Sequence, residues 1–391
     1  MLKQLAGCVR EYKRPTILTL IFIVGEAVIE TIIPFITANL VNRIKAGASI
    51  ESVMEVGLLL IIMAAISLVC GGLAGFTCAK ASTGFAKNLR SDLFHRIQTY
   101  SFENIDKFSS SSLVTRMTTD VTNVQMAFMM LIRIAIRSPL LLIFSTVMAF
   151  VMGGKLAFVF VVVIPILAFG LLAIGKKAMP AFRSVFKKYD RLNESIEENV
   201  RGMRVVKGFS REEYEKQKFN TAADNIRKDF TKAECIVALN TPLMNLCMYI
   251  NMVVVLLVGS KLAITSGGSA LDVGQISGML TYGMQILMSL MMLSMIYVMV
   301  TMSAESAKRI CEVLEEEPSL KEPENPVMEV KDGSIEFKNV NFKYSAKAKK
   351  YALSDIDLSI RSGMTVGIIG GTGSSKSSLV QLIPRLYDVT E

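Results

Sequence analysis

Gly370, Gly371, Thr372, Gly373, Ser374, Ser375, Lys376, Ser377 and Ser378 follow one another in a run whose residue types suit phosphate. Glycines at 370, 371 and 373 let backbone N–H groups approach a polyanion closely and allow positive φ. Lys376 has the reach to meet β- and γ-phosphates, and the Ser377 hydroxyl is of the kind that joins an Mg²⁺ shell. The general pattern is G-x-x-x-x-G-K-[ST], and here Ser375 stands where its last glycine belongs. A Cβ at that position is accepted at negative φ and crowds the loop otherwise.

The elements around this loop should position it. Residues 365–369 read as a short apolar strand entering the loop, and 376–387 as a helix leaving it. Upstream, Ile335, Phe337, Val340 and Phe342 alternate with polar residues as a half-buried strand, 353–360 read as a second, and Arg361-Ser362-Gly363 as a turn. Tyr344 lies at the edge of the first strand. Its ring either stacks on an adenine or simply packs, and the residues alone leave both readings open.

What precedes the loop is membrane-grade sequence. An apolar content of 51% and a mean hydropathy of +0.45 over 391 residues exclude an ordinary soluble enzyme. Runs long enough to cross a ~30 Å hydrocarbon core fall at 16–38, 57–79, 134–152, 156–174, 236–264 and 276–302. Pro165 and Pro242 lie inside two of them, which a helical bundle tolerates. The first run holds Glu26 and Glu30 and lacks a small-residue cleavage pattern, so it reads as a retained span rather than a signal peptide.

The net charge of +9 would ordinarily suggest nucleic acid, but its distribution points elsewhere. Roughly 27 Lys/Arg sit at the N-terminus and in the two long connections after the second and fourth runs, against about 4 in the opposite loops. This asymmetry predicts cytoplasmic termini and cytoplasmic connections. Both connections carry apolar residues at helical spacing, so the membrane helices are expected to continue beyond the bilayer and turn there, near 109–116 and 189–198.

Other chemistry is limited. The six cysteines show no metal-ligand spacing, and His95 is the only histidine, in a charged stretch that suits simple solvation. Glu26 and Glu30, one turn apart at membrane depth, serve either a substrate path or an interhelical partner. The same alternatives hold for Asn240, Asn245, Asn251, Tyr282 and Gln285. Met279, Met284, Met288, Met291, Met292, Met295, Met299 and Met302 form either an adaptable wall or packing filler.

Three segments carry a family resemblance: 102–108 with Leu113, Arg116 and Asp120; 198–209; and Ser306-Ala307-Lys308-Arg309-Ile310. Together with the Phe342-Lys343-Tyr344 strand and the glycine loop, they make the chain resemble an ABC exporter half-transporter of the multidrug and lipid exporter type over essentially its whole length. The resemblance implies an α-helical membrane bundle of six transmembrane helices with long cytoplasmic extensions. The N-terminal piece of an α/β P-loop nucleotide-binding domain would follow. The corresponding boundaries are a transmembrane domain at 1–317, a linker at 318–327 and a partial nucleotide-binding domain at 328–391.

By the same resemblance the two cytoplasmic turns are coupling helices and Tyr344 is the adenine-stacking aromatic. Gly371, Thr372, Gly373, Ser374, Lys376, Ser377 and Ser378 match the phosphate loop, Ser375 departs from it, and Ser377 is the Mg²⁺ ligand. The implied cofactors are ATP and Mg²⁺, and the implied partners are a second half-transporter, membrane lipid and a small hydrophobic or amphipathic substrate, with no nucleic acid. The expected activity is that of an ABC-type ATPase and translocase of the cytoplasmic membrane, exporting a drug, lipid or peptide-like molecule by alternating access. The alternative is a regulatory ATP-binding subunit of a heterodimer with weak hydrolysis at its own site. The family's signature motif, catalytic Glu and switch His have no counterpart before Glu391, so these 391 residues alone are not expected to hydrolyse ATP.

Overall fold

The computed structural model describes residues 2–267, 271–320, 325–330, 332–345 and 348–391. Of the expected linker at 318–327, residues 321–324 lie outside the described residues. In chain order the helices are α1 (Leu2–Gly7), α2 (Lys13–Lys45), α3 (Ile50–Gln98), α4 (Phe102–Phe108), α5 (Ser110–Thr115), α6 (Val121–Gly153) and α7 (Phe158–Arg201). They continue with α8 (Met203–Gly208), α9 (Glu212–Ala238), α10 (Asn240–Thr265) and α11 (Val273–Glu315); strands β1 (Ile335–Phe342) and β2 (Leu353–Ile360) and helix α12 (Lys376–Leu382) follow. A π-helical turn, Arg116–Asp120, joins α5 to α6, and a 3₁₀ turn, Gly154–Ala157, joins α6 to α7.

Every apolar run of the sequence falls on helical backbone. Among the described residues five helical stretches are long and apolar enough to cross a membrane: Arg10–Lys45, Ile50–Gln98, Ser110–Val185, Glu212–Thr265 and Val273–Glu315. The third is 76 residues long and contains the 3₁₀ turn between α6 and α7, where Gly154 has φ of +49°. Pro165 lies inside α7, whereas α9 gives way to α10 at Leu239, which puts Pro242 in the first turn of α10, where its missing N–H costs no helical hydrogen bond.

The chain divides into two compact units. One comprises 11–82 and 126–302. Its centre is apolar: Phe160, Met279, Tyr282 and Ile286 are enclosed with Ala149, Leu156 and Val255, and a second cluster gathers Val163, Leu167, Leu171 and Leu287. Leu58, Ile61 and Leu68 of α3 point outward, as lipid-facing residues do. Close approach of α2 and α11 depends on Gly274, whose N–H donates to Asn42 Oδ1 at 2.8 Å; a Cβ there would stand 2.0 Å from the Ala38 carbonyl oxygen.

The other unit comprises 1–10, 83–125 and 303–391. Here the C-terminal end of α11 is held by side chains from 96–107. Arg96 Nε donates to the Leu314 carbonyl at 3.2 Å, the Tyr100 hydroxyl to that of Val313 at 2.6 Å, and Asn104 Nδ2 to that of Glu317 at 3.0 Å. These donors satisfy carbonyls that a helix end leaves without intrahelical partners.

Of the two expected turns, one falls in the expected segment and the other is displaced. In 109–116 the break between α4 and α5 falls at Ser109, at φ of +59°, whose hydroxyl caps the next helix by accepting from the Ser112 N–H, and Ser110–Thr115 is helical. Residues 189–198 continue α7, and the chain turns instead at Gly202 and again at 209–211, around the short α8. Glycine at 202 ends a helix that nothing in 189–198 interrupts.

β1 and β2 pair antiparallel, from Ile335 opposite Ile360 to Phe342 opposite Leu353. The apolar positions 335, 337, 340 and 342 contain one residue too many for strict alternation, and a bulge between Phe337 and Val340, with Asn339 at φ of +48°, absorbs it. The strand expected at 365–369 is absent. A strand requires a ladder partner, none of the described residues supplies one, and Ile369 is 98% exposed. The sheet is therefore two-stranded among the described residues.

Candidate nucleotide loop and membrane cavity

The glycine loop leads into α12, which begins at Lys376 and ends at Leu382, short of the expected 387. Gly373 takes φ of +85°, a conformation that suits glycine. Ser375, the residue before the helix, is also left-handed, with φ of +59° and ψ of 25°. The negative φ that would accommodate its Cβ is therefore not adopted, and the departure from glycine falls at a position where glycine is favoured.

Lys376 folds back over the loop. Its Nζ donates to the Gly370 carbonyl at 2.8 Å, the Gly371 carbonyl at 2.7 Å and Ser374 Oγ at 3.2 Å. The ammonium thus stands at the loop mouth, with open space where Cβ atoms would lie on Gly371 and Gly373. Ser377 is exposed and Ser378 buried. An ammonium, unblocked backbone and an accessible hydroxyl form a donor set that suits a magnesium-bound polyphosphate.

Tyr344 is brought to α12. Its hydroxyl lies 2.7 Å from Ser378 Oγ, its ring meets Phe342 and Tyr387 edge-on at 4.8 and 5.2 Å, and 43% of the residue stays exposed. The ring is packed against Phe342 and Tyr387, and part of it stays open to solvent.

Tyr387 in turn donates to Asp106 Oδ2 of α4 at 2.7 Å, and its ring lies 6.2 Å from that of Phe102. Burial, reinforced by the bond to Asp106, pushes its hydroxyl pKa up to about 12. The segments that resemble family motifs also converge. Asp120, fully enclosed, accepts from Ser306 Oγ at 2.8 Å and from Arg309 Nε at 2.8 Å, with a second, shorter contact to Arg309 Nη2. Arg116 Nη1 reaches Glu312 at 3.1 Å, and its guanidinium lies 4.9 Å over the Phe108 ring. A π-helical turn at Arg116–Asp120 aims these two side chains, and no periodicity in the sequence announces it.

In the other unit, a cavity of about 720 Å³ is lined by Glu30, Arg133, Arg137, Gln285, Ser289 and a wall that includes Met129, Met130, Met284, Met288 and Met292. Arg137 Nη2 lies 2.6 Å from Glu30 Oε1 and 3.4 Å from Glu26 Oε1. The two acids therefore have an interhelical cation partner, and Glu30 additionally lines the cavity. Gln285 donates to the Glu30 carbonyl at 3.2 Å and accepts from Ser145 Oγ at 2.8 Å, while the Tyr282 hydroxyl donates to the Thr31 carbonyl at 2.7 Å. Asn251 is buried away from this cavity's lining, with Oδ1 unpartnered. Among the methionines, Met279 is core and Met284, Met288 and Met292 face the cavity. Arg133 and Arg137 are the residues that sequence reasoning did not single out. Their signal is two cations four residues apart at the mouth of an otherwise apolar run.

The ABC transporter transmembrane region family matches residues 16–291. The chain belongs to this family and is a multi-pass membrane protein. It is 33% identical over 370 residues to the uncharacterized ABC transporter ATP-binding protein YfiB of Bacillus subtilis (strain 168), covering 95% of this chain and 64% of that one. It is 29% identical over 384 residues to the uncharacterized ABC transporter ATP-binding protein Rv1273c of Mycobacterium tuberculosis (strain ATCC 25618 / H37Rv), covering 98% and 65%. YknU of B. subtilis, of the same description, is 29% identical over 300 residues, covering 76% and 51%. The chain thus spans less than two thirds of the length of these relatives.

Proposed function

We propose that the chain is one half of a dimeric, six-span ABC exporter that uses ATP to move a hydrophobic or amphipathic molecule across the cytoplasmic membrane by alternating access. On this reading Ser110–Val185 crosses twice, reversing at Gly153 and Gly154, and the N-terminus and residues 328–391 are cytoplasmic. The membrane domain runs over 1–317, and 328–391 belong to a nucleotide-binding domain. Gly371, Thr372, Gly373, Ser374, Ser375, Lys376, Ser377 and Ser378 hold the phosphates, Ser377 the Mg²⁺, and Tyr344 the adenine.

The observation that carries this reading is the Lys376 ammonium at the mouth of a glycine loop, in the same unit as the α4 carboxylate that receives Tyr387. Bound Mg²⁺–ATP would supply the hydrolysable phosphoanhydride and its free energy. The chain's own residues bind and orient: Lys376 neutralises charge, the loop N–H groups cradle it, and Asp106 with Phe102 receives displacements of Tyr387. Closure of paired nucleotide domains would then shift the membrane helices between inward- and outward-facing populations.

The test is Lys376→Ala in the full-length protein, in a dimer whose other site is also disabled. ATP-dependent uptake into inside-out vesicles is expected to vanish, and undiminished uptake would sink the reading. The left-handed Ser375 favours a second reading, a regulatory subunit that retains ATP with weak hydrolysis. Nucleotide trapping separates the two, since retention without turnover favours the regulatory subunit.

A further inference from the structure

The charges around the cavity that α2, α6 and α11 line are unevenly paired. Arg137 has two carboxylates, Glu26 and Glu30, within ion-pair distance, and its Nε is buried without a hydrogen-bond partner. Arg133, one turn earlier on the same helix, lines the same cavity, and among the described residues no carboxylate lies within ion-pair distance of it. It is exposed to the cavity and has Gly75 as a neighbour, its Nη1 3.9 Å from where a Cβ would stand.

A cation without a carboxylate partner at the mouth of an apolar run draws on water or an anion. Around it the lining includes Met129, Met130, Met284, Met288 and Met292, side chains that conform readily to apolar ligands of varied shape. A volume of about 720 Å³ is in the range of small-molecule sites. We propose that this cavity binds amphipathic anions, with a carboxylate, sulfonate or phosphate head on Arg133 and an apolar body against Met129, Met284, Met288 and Met292. The inference rests on the transport reading for its purpose but not for its chemistry. Glu30 limits the net positive charge by occupying Arg137, which makes it a specificity-determining residue with the opposite sign to Arg133.

The test uses the full-length protein in nanodiscs without nucleotide and three dansyl-labelled probes of one chain length, carrying a carboxylate, its methyl ester or a quaternary ammonium. Fluorescence titration is expected to give a carboxylate affinity at least roughly tenfold above that of the ester, in the range of one charge-assisted hydrogen bond. Arg133→Gln is expected to remove that preference, Arg133→Lys to keep it in part, and Arg133→Glu to invert it toward the ammonium. Glu30→Gln, which leaves Arg137 only its longer contact to Glu26 and removes a negative charge from the lining, is expected to tighten carboxylate binding and provides an independent reading should an Arg133 variant fold poorly.

Equal affinity for carboxylate and ester, or a preference untouched by both Arg133→Gln and Glu30→Gln, would overturn the proposal. Competition by lysophosphatidic acid placed in the bilayer, against cholate added to the aqueous phase, distinguishes a lipid-borne anion from a dissolved one. No ATP enters these titrations, so a failure of ATP-driven export with the carboxylate preference intact rejects the transport reading alone. Export that persists without the preference rejects this inference alone.

Discussion

Asp120 and Arg309 form an ion pair of unequal burial: the carboxylate is fully enclosed, while 44% of the arginine side chain remains open to solvent. The two partners are 189 residues apart in sequence yet close one structural joint, with Ser306 as the only other side chain hydrogen-bonded to the carboxylate among the described residues. Their loss should therefore be unequal. Arg309→Met strands a buried charge and is expected to cost about 3 kcal/mol or more. Asp120→Asn leaves Arg309 free to turn outward and keeps a hydrogen-bonding amide, so about 1 kcal/mol is expected. Thermal unfolding of the purified variants in detergent gives the comparison, and equal losses would show that burial is not what sets the cost.

At Ser375 a left-handed backbone carries a side chain with no capping hydrogen bond to offset it. Ser375→Gly is expected to relieve about 1 kcal/mol of backbone strain. Fluorescent-nucleotide titration of the full-length protein should show tighter binding in the variant. Weaker binding would mean that the serine contributes contacts of its own to the ligand.

Cys8 gives a labelling prediction. Burial, then the hydrogen bond to Asp92 at 3.4 Å and the charge of that carboxylate, push the thiol up to about 11. A raised value keeps the unreactive protonated form dominant at pH 8, since the thiolate is the nucleophile. Iodoacetamide at pH 8 is expected to modify the exposed Cys235 well before Cys8, with Cys8 reacting only as pH approaches 11. Peptide mass spectrometry at several pH values checks the order.

Two tyrosines should titrate late. Burial is the first cause at both Tyr100 and Tyr387, and each is pushed up to about 12. A folded value above the ordinary ~10 means that their contribution to stability is complete below about pH 10 and is lost as pH rises through 12. Phenolate absorbance is expected to show a late alkaline component that diminishes in Tyr387→Phe and in Tyr100→Phe. The Tyr387 variant should also lose export more than nucleotide binding, because its hydroxyl goes to Asp106 rather than into the glycine loop.

Much of the fold was legible because its causes are local. Apolar runs become helices wherever backbone groups must be satisfied without water, and the hairpin of β1 and β2 follows its alternation down to the extra residue at Asn339. What depends on partners distant in sequence was not legible. Residues 365–369 have strand composition but no ladder neighbour among the described residues, and 189–198 stay within α7, which turns only at Gly202. At the nucleotide loop the residue types could be read directly, but the backbone conformation of Ser375 could not. In the membrane unit the acids were visible as anomalies. Arg133 and Arg137 drew no reading from the sequence, because only the fold brings Arg137 to Glu30 and both to one cavity.

Lys376 already spends its hydrogen atoms on the carbonyls of Gly370 and Gly371 and on Ser374. Anion uptake by this loop is consequently a swap rather than a simple addition: the ammonium trades internal acceptors for external ones, and measured affinity reports only the difference. The carbonyls of Gly370 and Gly371 thus compete with the ligand for one cation, so the loop's own geometry sets part of its apparent affinity alongside its recognition chemistry.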